Sequence, residues 1–462
     1  MNIFKGTIVY SISSLFIKFG AFLLLPIITR LLSSSEFGIV GIYLSAYGVL
    51  SIIFGLGVYM PLMKTQAEFG EKSYEYGKKS FNSILLLILI YFLVIILFLL
   101  TLQKDEFISY LNSNNISPKM IFFSIIASMI SAINVIMNTY FRMKGSFYYI
   151  AIVTLTTFII FYGLTILLIK YLSLGVYGYI YGHISSISFM MFLYGIQYIK
   201  TLKFKLDFSE SITTIKKSTP LIFVELSDKI TEASDKFILL KYVSLSTIGV
   251  YTLAGTGAKI IGVITNSYIN MILPRIYKSN ENNENNIKLK LENLFYLLIP
   301  IIIVIQISSQ DLISIIFPSS YSNLYEIFIL LLPGIAMQYF YFLDYYFHKN
   351  DESKFILLFT IITTTLSIIL NLIFIPIYGV YASIFFIYIC FTARATIEMN
   401  VIKRKYNISF NSFRIVVTSL LMFAYPVIAS IISIHILVKI ILLLILLYYI
   451  YLKQKKYRVF HV

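Results

Sequence analysis

Apolar runs of about 20 residues recur along the whole chain, separated by short polar stretches. A hydrocarbon core of about 30 Å is crossed by helices of that length, so the rhythm predicts an all-α polytopic membrane protein. Fourteen spans are expected, near 7–29, 38–62, 80–103, 120–141, 148–169, 175–199, 218–240, 247–273, 291–308, 326–347, 355–377, 379–401, 415–434 and 436–452. One of them breaks the pattern. Residues 218–240, STPLIFVELSDKITEASDKFILL, carry Glu225, Asp228, Lys229, Glu232, Asp235 and Lys236.

A charge at the bilayer centre costs about 2.5–3.5 kcal/mol even on the most lenient scale, so such residues face a cavity or a partner and mark a pathway. At about 100° per residue the charges of the seventh span fall within an arc of roughly 120°, leaving Leu, Ile and Phe on the remaining face. Glu225/Lys229 and Glu232/Lys236 have the helix-stabilising i,i+4 order, and an ion-paired stripe is the plain reading of the four. Asp228 and Asp235 have no such local partner in the sequence, an excess of acid that calls for cations or protons from elsewhere.

Composition agrees with the pattern: of 462 residues 59% are hydrophobic and 13% charged, with a mean hydropathy of +0.86. That lies far outside soluble proteins. The first run ends in PIITR without a small-residue cleavage site and is read as a retained helix, not a signal peptide. The single cysteine, Cys390, excludes an intramolecular disulfide and argues against a thiolate metal site. His183, His348, His435 and His461 stand at no ligand spacing, and His183 is expected to be satisfied by a neighbour. No metal and no cofactor are expected. With 38 Tyr and no Trp, interfacial anchoring falls to tyrosine.

The net charge of +16 is explained by its distribution. With the N-terminus inside, the inner segments hold Lys5, then Lys64, Lys72, Lys78 and Lys79, then Arg142 and Lys144, then Lys200, Lys203, Lys205, Lys216 and Lys217. The series continues to Lys453, Lys455, Lys456 and Arg458, whereas the outer segments hold only Arg30, Lys104, Lys119, Lys170, Lys241 and Lys439. This is the positive-inside rule, it places both termini in the cytoplasm, and it removes nucleic acid from the partners to be considered.

The chain also resembles itself. Sliding it by 211 positions lays Lys18 on Lys229, Arg30 on Lys241, Ser33 on Ser244, Ser35 on Ser246 and Gly38 on Gly249. With a drift of a few residues Pro61 matches Pro274, Phe141 matches Phe347, and LGVYGYI from Leu174 matches YGVYASI from Tyr378. An ordered series of this kind indicates duplication. The expected domains are an N-terminal six-helix lobe at 1–205, a second at 206–405, and two additional helices with a basic tail at 406–462. An even number of spans per repeat gives both copies the same orientation.

Polar stripes fall where a cavity between such lobes needs them. The fourth span aligns Ser124, Ser131, Asn134, Asn138 and Arg142; the eighth aligns Thr252, Thr256, Lys259, Asn266 and Asn270. Ser, Thr and Asn also join helices in lipid. Lys18 and Lys259 sit too deep to snorkel easily, and Arg394 has Glu398 four residues on. AGTGAK at 254–259 lacks phosphate-loop spacing and lies in an apolar helix. The inner loops are too short for an ATPase fold, and the outer connections too short for a membrane glycosyltransferase or polymerase.

With PIITRLLSSSEFGIVGIYLS from Pro26, SDKFILLKYVSLSTIGVYTLA from Ser234, ILPRIYK from Ile272 and NLIFIPIYGVYASI from Asn371, the chain resembles the Wzx-type polysaccharide flippases. These belong with the multidrug extruders and the lipid II flippase in one exporter superfamily. The resemblance implies two six-helix lobes around a central cavity and a non-enzymatic transporter in the bacterial cytoplasmic membrane. The implied substrate is a polyprenyl-diphosphate-linked oligosaccharide of O-antigen or capsule type, with membrane lipid and polysaccharide polymerase machinery as partners. On this reading Lys18, Arg142, Lys229, Lys259 and Arg394 are candidates for binding the diphosphate. Glu225, Asp228, Glu232 and Asp235 are candidates for coupling to a proton or sodium ion, and Asn134, Asn138, Asn266 and Asn270 for the polar lining of the cavity. The alternative is a cation-coupled multidrug extruder, in which the acidic stripe itself binds the substrate.

Overall fold

The computed structural model describes residues 3–59, 84–93, 117–199, 208–278, 281–350 and 352–431. Among these residues there are helices and no strands, as lipid demands of a chain that must satisfy its backbone internally. The elements are α1 (Ile3–Leu31), α2 (Ser34–Gly55), α3 (Ile84–Leu93), α4 (Pro118–Met143), α5 (Phe147–Lys170), α6 (Gly175–Ile199), α7 (Phe208–Tyr242) and α8 (Leu245–Ala258). There follow α9 (Ile260–Lys278), α10 (Glu281–Ile316), α11 (Leu324–Met337), α12 (Asp344–Lys349), α13 (Ser353–Tyr378), α14 (Val380–Tyr406), α15 (Ser412–Leu420) and α16 (Ala424–Ile431). Within the described residues eight stretches are long and apolar enough to cross a membrane. The expected span at 436–452 lies outside the described residues, as do Lys64, Lys72, Lys78, Lys79, Lys104, Lys200, Lys203, Lys205, Lys439 and the basic tail.

Two expected spans are interrupted. The eighth is α8 and α9 joined at Lys259, and the tenth passes through a 3₁₀ segment, Gln338–Leu343, between α11 and α12. Others are longer than their apolar cores, because amphipathic ends extend them: α7 has 35 residues and α10 has 36.

The chain divides into two compact units, residues 1–249 and 250–462. In the first, α4 packs against α2 and α6, α5 lies between α6 and α1, and α7 runs along α2. Its core joins Phe54, Val58, Ile84, Ile88 and Phe92 to Ala132, Ile136, Tyr140 and Phe141 of α4 and to Tyr194 and Tyr198 of α6. Phe141 and Tyr194 stack with ring centroids 5.3 Å apart. The opposite flank of α5 shows Ile152 and Ile159 at 62% and 66% exposure, a surface for lipid and not for water.

The offset of 211 recurs in the geometry. Ser33 caps α2, accepting from the Glu36 amide at 3.3 Å while its own amide donates to the Glu36 carboxylate at 2.8 Å; this is a capping box. Ser244 stands 211 residues later and accepts from the Thr247 amide at 3.2 Å at the start of α8. The two helix starts then meet. A Cβ on Gly38 would overlap the Leu245 carbonyl oxygen, and one on Gly249 would overlap the Ser34 carbonyl oxygen. Each glycine faces the other's backbone across a crossing closed by Ser34 Oγ and Ser246 Oγ, 2.7 Å apart. Glycine is required at both positions because only its missing side chain admits a passing carbonyl.

In the second unit α14 packs against α13 and α11, and α10 against α11. Buried Gln306 on α10 donates to the carbonyls of Ile329 at 2.9 Å and Met422 at 3.0 Å. The exposed face of α13 carries Leu358, Ile362, Ile369, Leu372, Ile373 and Ile377, again a lipid-facing flank. At its edge Glu352 accepts from Lys405 Nζ at 2.6 Å and from the Tyr406 hydroxyl at 2.5 Å. Lying outside the spans, its carboxyl is held below the ordinary carboxylate range, first by Lys405 and then by Tyr406.

Candidate functional site

The site is built on α7, and one of the pairs its spacing predicts, Glu225/Lys229, is replaced. Glu225 accepts a short hydrogen bond from the hydroxyl of Tyr59, which follows the end of α2. Lys229 accordingly turns the other way along its helix and pairs with Glu232, Nζ to Oε2 2.6 Å, at i,i+3. The expected Glu225/Lys229 pair is therefore replaced, because a hydroxyl from a neighbouring helix competes for the carboxylate. Lys236 Nζ donates to the Glu232 carbonyl at 3.1 Å and lies 3.9 Å from Asp235 Oδ1. Asp235 is buried at 3% exposure and also accepts from the Lys236 amide at 2.6 Å.

Lys229 reaches further than its carboxylate. Its Cδ lies 3.7 Å from the position a Cβ on Gly48 of α2 would take, so its stem passes over that glycine. Its side chain remains 46% exposed. A cation stretched along a neighbouring helix and still accessible is available to an anionic ligand. Asp228 lies on the same helix, partly buried. Arg142, at the C-terminal end of α4, acts electrostatically on Tyr59 and so belongs to the same assembly.

Other candidates lie elsewhere. Lys18 falls on α1, with its side chain outside the described residues. Asn134 donates to the Ile187 carbonyl at 2.8 Å and Asn138 to the Tyr194 hydroxyl at 2.9 Å, so both join α4 to α6. In the second unit Lys259 is exposed at the break between α8 and α9, and Asn266 is exposed on α9; the side chain of Asn270 lies outside the described residues. Arg394 is buried: Nε donates to Glu398 at 2.7 Å, Nη2 donates to both oxygens of Asp344 at 3.2 and 3.0 Å, and the guanidinium lies 4.5 Å from the Tyr341 ring centroid.

Sequence reasoning missed Tyr59, which steers Glu225, and Asp344, which shares Arg394. It also missed Tyr43 and Tyr47, spaced i,i+4 on α2, whose partners His183 and Ser131 lie on other helices. The i,i+4 tyrosines beside Gly48 were the available signal. Among the described residues no group of three or more His, Cys, Asp or Glu could hold a metal ion.

Residues 27–326 match the family model described as polysaccharide biosynthesis protein. Among solved structures, the lipid II flippase MurJ in an inward closed conformation has a TM-score of 0.71 at 16% identity, covering 98% of this chain and 99% of that one. An inward-facing multidrug resistance MATE family transporter of the MOP superfamily has a TM-score of 0.62 at 14% identity, covering 85% and 98%. A MOP superfamily transporter from Pyrococcus furiosus has a TM-score of 0.51 at 14% identity, covering 88% and 96%. At these identities the likeness is one of fold. No curated protein matches the sequence.

Proposed function

The chain belongs to the family of polysaccharide biosynthesis proteins, and on that footing we propose that this multi-pass membrane protein is a flippase. It carries a polyprenyl-diphosphate-linked oligosaccharide from the cytoplasmic to the outer leaflet of a bacterial cytoplasmic membrane by alternating access. The observation that carries the reading is α7, the helix over the seventh expected span, which keeps Glu225, Asp228, Lys229, Glu232, Asp235 and Lys236, with Lys229 46% exposed beside Gly48. Charges are retained at such cost where a charged ligand passes.

In this mechanism Lys229, with Arg142 and Lys18 of the first unit, meets the diphosphate. The acids of α7 load a proton or sodium ion in one arrangement and release it in the other. The Lys and Arg distribution supports cytoplasmic termini, and O-antigen or capsule repeat units, passed on to a polymerase, are the glycans proposed. The second reading, a cation-coupled multidrug extruder, is favoured by one observation: the fold is also that of a MATE transporter.

The test is leaflet-resolved flipping of a fluorescent polyprenyl-diphosphate oligosaccharide in proteoliposomes, comparing wild type with Lys229→Ala and Lys18→Ala. Flipping by wild type and its loss in folded variants is the expected result. No flipping by wild type, with gradient-dependent efflux of a cationic dye, would transfer the protein to the extruder reading.

A further inference from the structure

A polar aromatic surface in the first unit is left unused by the diphosphate contacts. His183 on α6 shares a hydrogen bond between Nδ1 and the Tyr43 hydroxyl at 2.8 Å. Its ring stands perpendicular to Tyr47 with centroids 4.9 Å apart, and steeply inclined to Phe161 of α5 at 5.8 Å. Phe161 in turn meets Tyr162 at 4.7 Å and Tyr179 at 5.3 Å. The Tyr47 hydroxyl donates to Ser131 of α4 at 2.8 Å, which fixes that ring from a fourth helix.

Tyr43 is fully buried, but Tyr47, Phe161, Tyr162, Tyr179 and His183 keep accessible surface while protein surrounds them. Among the described residues nothing takes the Nε2 atom of His183. A sealed apolar core has no use for three phenols and an imidazole left partly open. Lys229, ion-paired with Glu232, acts electrostatically on Tyr47.

We infer that this surface is a carbohydrate subsite, which holds a sugar ring of the lipid-linked substrate beside Lys229. This assignment rests on the flippase reading. Aromatic faces are electron-rich and suit the weakly positive C–H faces of a pyranose. His183 Nε2 and the phenols offer donors and acceptors, held in place, for its hydroxyls. A rigid aromatic platform with a few convergent polar groups is how small polar ligands are oriented. Aromatic rings also attract organic cations, so a cationic dye is the competing occupant that the binding test below separates from a sugar.

The experiment is equilibrium binding to the detergent-solubilised full chain with two probes: a fluorescent polyprenyl diphosphate bearing a trisaccharide, and the same lipid diphosphate without sugar. His183→Phe keeps the ring volume and removes Nε2; Tyr179→Leu removes an aromatic face. Each is expected to weaken the sugar-bearing probe about tenfold, roughly 1.4 kcal/mol, and to leave the sugar-free probe unchanged, while Lys229→Ala weakens both. Equal weakening of both probes by His183→Phe, or wild-type affinity that ignores the sugar, would overturn the subsite. Displacement of the sugar-bearing probe by a cationic dye whose own binding depends on His183 would overturn it as well. Sugar-selective binding without flipping in proteoliposomes would retire the flippase reading and leave the subsite standing.

Discussion

Removing the guanidinium of Arg394 should damage the protein's stability far more than its affinity for substrate. Its side chain is 2% exposed and that of Glu398 1%, and three hydrogen bonds bind them to each other and to Asp344. Arg394→Met takes away the cation that two carboxylates share in the interior of a membrane helix layer. Breaking a buried ion pair from one side costs about 3–5 kcal/mol. At about 2–4 °C per kcal/mol for a body of 150–250 residues, the midpoint of thermal unfolding should fall by roughly 6–20 °C. Replacing the whole set by apolar side chains, Arg394→Met/Asp344→Leu/Glu398→Leu, should recover most of that loss, because the desolvation penalty of all three charges disappears with them.

The molecule supplies its own reporter. Cys390, the single cysteine, is buried on α14 four residues before Arg394. A dye that fluoresces on reaction with thiols will therefore respond when this part of the protein opens. A single variant that melts within about 2 °C of wild type, or a triple variant that melts as low as the single one, would refute the reasoning. Flipping retained by the stable triple variant would also separate Arg394 from the substrate cations.

Other consequences can be checked in the same preparations. Gly38→Ala and Gly249→Ala should each lower stability by about 1–3 kcal/mol through overpacking, and the double variant should cost less than the sum, because one displaced helix start relieves both clashes; additivity in thermal unfolding would count against the shared crossing. Tyr59→Phe should cost about 1.5–3 kcal/mol by depriving the Glu225 carboxylate of that donor, measurable by denaturation in detergent; an unchanged midpoint would sever the link between α7 and Tyr59. For Glu352 the folded carboxyl titrates below its unfolded value, so its contribution is present above the ordinary carboxylate range and vanishes as pH falls through the lowered one. Wild type and Glu352→Gln should thus differ in midpoint at neutral pH and converge in acid, and a gap independent of pH would contradict this.

Hydropathy carried much of the architecture. The ends of α4, α5, α6, α13 and α14 lie within a few residues of the apolar runs that foretold them, because lipid imposes a length and a polarity that the sequence must show. It did not reveal the interruptions at Lys259 and at Gln338–Leu343, since an averaged window is blind to where backbone hydrogen bonds change partner. The charges of α7 were legible as a face and not as pairs: spacing along one helix says nothing of Tyr59, which arrives from another. Asp344 and the ring set around His183 were hidden for the same reason, their members being scattered over helices far apart in sequence.

The crossing of Gly38 and Gly249 behaves like a hook and eye cut from one pattern, with each half serving as both. Two helix starts of like local sequence dock on each other, so that one glycine and one carbonyl from each satisfy two contacts at once. Neither start is then free to drift alone, for a bulkier residue in either half collides with a backbone that no substitution can trim. A chimera that takes the residues around Gly38 from one family member and those around Gly249 from another should fold only when both parents kept a small residue at the same distance from the helix cap.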